Sequence, residues 1–291
     1  MKYKKKIAFI DYWTHKNTGS GNFLRKILSE RFEVTDIWWE ENKKIDIKKI
    51  KTFDYIFFFH VLFPYQILKN LRDKKIIWAP MYDALNFRNS FFKKIFWYQV
   101  ADLNIKILSF SNQINASMAS EKKYINLKKV KYFMRPTNKQ INKINKINIF
   151  FWDRGRVNIN QWIEYFYPED INMIYYFSSK DLSVSNKGEK SIRKLKKNYN
   201  IICVGDKFLP QKKYLNLLKK CNVFVAPRKQ EGIGMSIVEA IANGMFIVSY
   251  NDSTMNEYIK SKKIGFLFNS QTNIKIKKDY IIHNHNYRFK F

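Results

Sequence analysis

The segment Val223–Asn269 reads VFVAPRKQEGIGMSIVEAIANGMFIVSYNDSTMNEYIKSKKIGFLFN. It opens on a short apolar run, Val223–Ala226, with the length and composition of a buried strand. A polar loop carrying Glu231, Gly232 and Gly234 follows, then a helical pattern from about Met235 to Ala242 and a second strand-sized run, Met245–Ser249. Strand, glycine-bearing loop, helix and strand in succession favour parallel strands covered on both faces. Gly232 and Gly234 let the backbone approach a ligand closely and take unusual torsions. The helix start beside them presents free backbone amides and a partial positive charge, an anion site to which Ser236 adds a hydroxyl donor. Met235, Val238, Ile241, Ala242 and Met245 form one apolar stripe. Glu239 lies about 40° beyond Met235, at the edge of that stripe, where a carboxylate suits vicinal hydroxyls such as a ribose diol.

The same alternation runs through the chain. Lys6–Tyr12, Glu33–Trp39, Tyr55–Phe59, Lys75–Ala79, Ile105–Phe110 and Val130–Met134 read as strands, with a helix from about Asn22 to Arg31 after the first. The polar stretch Arg135–Lys146 with Pro136 reads as a linker. The pattern restarts with strands at Ile147–Trp152, Met173–Phe177 and Ile201–Val204, and helices at Asn160–Tyr167 and Lys212–Lys220. The fold class expected is α/β, with two Rossmann-like domains, residues 1–140 and 141–291, facing each other across a cleft. In open sheets of this kind ligands bind beyond the carboxyl ends of the strands.

Composition narrows the function classes. With 46% hydrophobic and 17% aromatic residues the chain is not disordered. Two cysteines, Cys203 and Cys221, are too few for a disulfide scaffold and read as core thiols in a reducing compartment. No apolar run approaches the roughly 18 residues of a spanning helix, and the apolar stretch Ile7–Ile10 is too short for a signal peptide, so a cytosolic N-terminus is expected. Lysine and arginine number 54 against 24 acids, a net charge of +30. Such a charge draws polyanions: nucleic acid, anionic lipid or phosphorylated substrates. A base-composition bias toward Lys and Asn codons is the other reading, although it accounts less well for the shortage of acids. The lysines are spread out and no nucleic-acid-binding motif occurs, so no nucleic acid partner is expected.

Within EGIGMSIVEAIANG, Glu231 and Glu239 form an E-x7-E pattern, followed by Asn256–Ile259 and Gly265–Leu267. The segment resembles the donor-binding signature of retaining glycosyltransferases of the GT-B fold, the large family-4 type. The resemblance implies metal-independent transfer from a nucleotide-sugar to a glycan or lipid-linked acceptor, with no cofactor, in the setting of bacterial surface-polysaccharide assembly. It implies that Glu231 contacts the donor sugar, that the backbone of Gly232, Ile233, Gly234 and Met235 approaches sugar and phosphate, and that Glu239 holds the ribose. Arg154 or Arg156 would face the pyrophosphate. Gln161 stands where the family carries a lysine, and Lys207 or Arg228 would substitute for it. In the first half, Gly19 and Gly21 occupy the place of the family's phosphate-touching glycine loop. Asp83, preceded by Tyr82 instead of histidine, and His60, at a strand end, are the candidates near the reaction centre. His283 and His285 have no metal-ligand neighbours in the sequence. The end of the chain at Phe291 implies loss of the family's final helix crossing back to the first domain, and with the Gln161 departure it leaves a non-catalytic subunit of the same fold as the rival reading. The stretch Asn86–Asp102 places Phe87, Phe91, Ile95 and Tyr98 on one helix face, widened by Phe92 and Phe96. That face reads either as core packing or, with Arg88, Lys93 and Lys94, as contact with an anionic membrane surface at the inner face of the membrane.

Overall fold

The computed structural model of the protein describes residues 4–41, 43–82, 85, 90–118, 123, 125–136, 145–178, 187–205, 209–252, 254–283 and 288. Contacts divide the chain into two compact units, Met1–Lys131 and Tyr132–Phe291.

In the first unit β1 (Lys6–Tyr12), β2 (Glu33–Trp39), β3 (Tyr55–Phe59), β4 (Lys75–Ala79), β5 (Lys106–Ser109) and β6 (Leu127–Lys129) form a sheet of order β2-β1-β3-β4-β5-β6. Every pairing is parallel. In the second unit β7 (Ile147–Asp153), β8 (Ile171–Ser178), β9 (Ile201–Cys203), β10 (Val223–Val225), β11 (Phe246–Tyr250) and β12 (Gly265–Phe268) form a parallel sheet of order β12-β11-β10-β7-β8-β9. This is the doubly wound order of dinucleotide-binding folds, reversing between β7 and β10.

The second sheet is covered on both faces, and the two-residue period of its strands sorts side chains between two cores. Ile149, Phe151, Val223, Val225, Phe246 and Val248 enter one cluster. Phe150, Phe224 and Ile247 enter the other, where they meet Ile237, Val238 and Ile241 of the helix Met235–Ala242. The buried side of that helix therefore centres on Ile237 and Val238, and Met235 is only half-buried at its first turn, which shifts the stripe read from the sequence.

Three further expectations are corrected. The strand expected at Val130–Met134 lies earlier, at Leu127–Lys129. Tyr132 and Met134 instead pack against the core of the second unit, and the Phe133 ring meets Tyr258 edge-on at 5.6 Å. The helix expected over Asn160–Tyr167 is replaced by 3-10 turns at Ile159–Gln161 and Ile163–Tyr165. Trp162, Ile163, Tyr165 and Phe166 are all buried, a spacing that also fits one helix face and so drew the helix reading. Cys203 is exposed on its short strand; Cys221 alone is a buried thiol.

The helix Ser90–Asp102 settles the two readings of its aromatics as far as packing goes. Trp97 and Val100 face the core, whereas Phe91, Phe92 and Tyr98 are 66%, 59% and 71% exposed. Phe87 and Arg88 lie outside the described residues.

Arg288 anchors the end of the second unit. Its buried guanidinium donates from Nε to the Gly244 carbonyl at 2.8 Å, from Nη1 to the carbonyls of Lys263 and Tyr280 at 3.2 Å each, and from Nη2 to the Ile281 carbonyl. Carbonyls at helix ends lack intrahelical partners, and one planar fork satisfies several of them. Burial pulls the Arg288 pKa down to about 10. Arg288→Ala is expected to lower the stability of this unit by about 3 kcal/mol, because a buried guanidinium donating to four carbonyls is removed. Arg288→Lys should recover only a minor part of that loss, as read by urea denaturation.

Candidate functional site

The strand order of the second sheet reverses between β7 and β10, so the loops leaving their carboxyl ends diverge and open a crevice there. The loop after β10 is held on several sides. Ala226 N–H donates to the Val248 carbonyl at 2.8 Å. Gln230 Nε2 donates to Asp252 Oδ2 at 3.0 Å, and the Lys229 ammonium sits 4.8 Å from the centre of the Tyr250 ring. Thr254 Oγ1 donates to the carbonyl of Glu231 at 2.6 Å and lies 3.2 Å from that of Gly232. The Thr254 side chain thus fixes the Glu231–Gly232 backbone.

Gly234 ends this loop as the residue before the helix, with φ 70° and ψ 47°, a left-handed conformation that an L side chain strains to adopt. Its carbonyl receives the first intrahelical bonds, from Ile237 and Val238 N–H. Gly232 has no such torsion; among the described glycines the positive φ values fall at Gly19, Gly155, Gly205, Gly234 and Gly244. Ile233 is buried between them. The backbone amides at the start of the helix lie beside Gly234, with the half-buried Ser236 in the first turn.

Two expected residues meet in this loop: Arg228 Nη1 lies 3.8 Å from Glu231 Oε2, and both side chains are largely enclosed. Glu239 stands half-buried on the helix, and burial raises its carboxyl above the usual range, opposed by the neighbouring Tyr214 hydroxyl. A group whose folded pKa is raised favours the fold when protonated. The folded protein therefore gives up stability as pH rises from the ordinary carboxylate range through the raised value.

After β7, Arg154 lays its guanidinium 4.8 Å from the centre of the Trp152 ring, and Arg156 is exposed on the following turn. Gln161 caps its own turn: Oε1 accepts from Asn158 N–H at 2.8 Å. Asp153, the last residue of β7, is a buried carboxylate that sequence reading passed over. It accepts from Tyr176 Oη at 2.7 Å and Gly155 N–H at 2.8 Å, and burial with the nearby carboxylate pushes the Tyr176 hydroxyl pKa up. The signal was present as an acid closing an apolar strand.

The first unit has a counterpart at the reversal between β1 and β3. Asp11, wholly buried near the end of β1, accepts from Arg25 Nη2 at 2.7 Å and from His15 Nδ1 at 2.6 Å. Arg25 also donates to Asp36 at 2.6 Å. Gly21 is where this cluster leaves no room: a Cβ there would lie 2.5 Å from Arg25 Nη1 and 2.9 Å from Asp11 Oδ2. Gly19, with φ 69°, closes the short helix His15–Thr18. His60 follows β3 with φ 68° and stacks on His15 at 5.3 Å between ring centres. Asp83, Lys207 and His285 lie outside the described residues.

These two parallel six-stranded sheets with their helices have the α/β architecture of GT-B glycosyltransferases. Residues 184–288 match the family model described as glycosyl transferases group 1, a stretch that contains the loop and helix described above. No curated protein matches the chain. Among solved structures, a sucrose-phosphate synthase from Thermosynechococcus elongatus is similar at 10% identity and TM-score 0.65, over 99% of this chain and 94% of that one. A glycosyltransferase from Rickettsia africae is similar at 13% identity and TM-score 0.59, over 99% of this chain and 88% of that one. Anabaena HepE in complex with UDP and glucose is similar at 11% identity and TM-score 0.56, over 97% and 89%. The segment match and the shared fold together support glycosyl transfer as the class of chemistry.

Thr254→Val keeps the shape of the side chain and removes its donor. The variant should lose about 1–2 kcal/mol of stability in a denaturant titration, and the Glu231–Gly232 segment should exchange its amide hydrogens faster than in the parent.

Proposed function

We propose that the protein is a retaining glycosyltransferase that moves a sugar from a nucleotide-sugar to a glycan or lipid-linked glycan acceptor. The observation that carries this reading is the segment matching glycosyl transferases group 1 on the loop and helix that leave the switch-point strand β10, with Glu231 and Glu239 at either end. A similar solved structure holds UDP and glucose, which supports a nucleotide-sugar as donor.

In this reading Glu239 accepts from the two ribose hydroxyls. The amides at the start of the helix Met235–Ala242, with Ser236, face the diphosphate, and Arg228, Arg154 and Arg156 supply positive charge. Glu231 contacts the donor sugar as its anomeric carbon takes on oxocarbenium character. Catalysis then rests on positioning and on fixed charge meeting the departing diphosphate. Transfer is metal-independent, so turnover should be unchanged by EDTA. A non-catalytic subunit of the same fold is the second reading, favoured by Gln161, which serves as a cap where the resemblance places a lysine.

A thermal-shift panel of UDP, GDP, ADP, dTDP and CMP with their sugar conjugates tests the donor site. A nucleotide at about 100 times its Kd adds roughly 2.7 kcal/mol, a shift of several degrees; no shift with any of them removes the reading. Glu239→Ala should weaken donor binding by about 1.5–3 kcal/mol, whereas Glu231→Gln should lower kcat more than donor affinity. A sugar nucleotide that binds and is never turned over selects the non-catalytic subunit.

The exposed aromatics Phe91, Phe92 and Tyr98 beside Lys93 and Lys94, on a chain of net charge +30, support peripheral attachment to an anionic membrane on the cytoplasmic side. The protein should sediment with acidic liposomes and much less with neutral ones. Added salt should leave a remainder that disappears in the triple variant Phe91→Ser, Phe92→Ser, Tyr98→Ser. Binding wholly reversed by salt would remove the aromatics from the interaction.

A further inference from the structure

Tyr214, on the helix Gln211–Leu218, has a buried hydroxyl oxygen that lies beside the Glu239 carboxylate without reaching good hydrogen-bond geometry. Its ring packs edge-on against Phe150 of β7 at 5.6 Å, so the side chain is held in place. The polar group beside the hydroxyl is the Glu239 carboxylate, and burial together with that carboxylate pushes the Tyr214 pKa well up. A buried hydroxyl whose hydrogen bond is poorly formed recovers little of its desolvation cost, and phenylalanine would fill the same space without that cost. A donor held beside a half-buried carboxylate with imperfect geometry is placed to tighten onto it.

We propose that Tyr214 is a positioning residue for Glu239, its hydroxyl closing onto the carboxylate when Glu239 takes up the vicinal hydroxyls of a bound nucleotide. This rests on Glu239 being the ribose-binding group. An ionised carboxylate offers about four acceptor positions and no donor. Two hydroxyls of a diol leave positions to spare, and a donor from the protein side fixes the rotation of the carboxyl group so that both its oxygens face the ligand. The same contact favours the charged carboxylate, which burial disfavours. Among the described residues Tyr214 is the titratable group that faces Glu239 from a neighbouring element; β7 contributes the Phe150 ring, and Glu239's own helix contributes Asn243, which donates to the Glu239 backbone carbonyl at 2.8 Å.

Tyr214→Phe separates this role from a structural one. Affinities for UDP and 2′-deoxy-UDP are measured by calorimetry across pH 5–8 for the parent, Tyr214→Phe and Glu239→Gln, alongside the melting temperature without nucleotide. The parent should prefer UDP. In Tyr214→Phe the Kd for UDP should rise about fivefold to tenfold, the preference over the deoxy form should shrink, and binding should be lost at a higher pH on acidification. The empty variant should melt at or above the parent temperature. A parent that discriminates between the two nucleotides beside a Tyr214→Phe that discriminates equally overturns the role of Tyr214 and leaves the ribose reading standing. A marked fall in melting temperature with unchanged preference makes the hydroxyl structural. A parent that binds UDP without preferring it to the deoxy form removes Glu239 from the diol and Tyr214 with it.

Discussion

A parallel sheet covered on both faces returns its chain over one face while it winds one way from the centre and over the other face while it winds the opposite way. Where the winding direction changes, the loops after two neighbouring strands leave on opposite sides and leave a crevice between them. In the second unit that change falls between β7 and β10. The Glu231 loop and the Arg154 turn are there because the sheet order leaves them there. The surroundings then fix the loop: Thr254 holds its backbone, Gln230 and Lys229 tie its flank to the β11 end, and Gly234 allows the sharp entry into the helix.

Both units place a buried carboxylate at the end of their central first strand, Asp11 in one and Asp153 in the other. Neither is a bare buried charge. Asp11 is met by Arg25 and His15, and Asp153 by a tyrosine hydroxyl and a backbone amide. Burial of an ion is tolerable when its lone pairs are filled this way. The result is a rigid turn at the carboxyl end of a strand, where a doubly wound sheet exposes its crevice. Arg288 works by the same rule with the sign reversed, a buried cation whose donors are taken up by backbone carbonyls.

The strand series was legible because each buried strand is a short apolar run between polar turns. Lys6–Tyr12, Glu33–Trp39, Tyr55–Phe59 and Lys75–Ala79 occur in the structure with those bounds. Misplacements fell where periodicity carries little information. The last strand of the first sheet is three residues long with two exposed lysines, so no apolar run marks it. The Ile159–Tyr165 turns carry Ile159, Trp162, Ile163 and Tyr165 at spacings that also fit a short helix, so the sequence pattern did not separate the two. The Ser90–Asp102 helix shows a regular aromatic face, and regularity alone does not tell whether core or solvent lies against it.

By itself, the sequence determined that the chain is α/β, that a glycine-bearing loop opens a helix between two buried strands, and that two glutamates bracket that loop and helix. These follow from local pattern: hydrophobic period, glycine placement and strand length. Only the tertiary structure decided which distant groups meet those residues. Thr254 reaches back to the Glu231 carbonyl, Tyr214 arrives beside Glu239 from another helix, and Arg288 returns to close the helix end at Gly244. Such partnerships depend on how elements far apart in the chain stack across one sheet, and no local period encodes that.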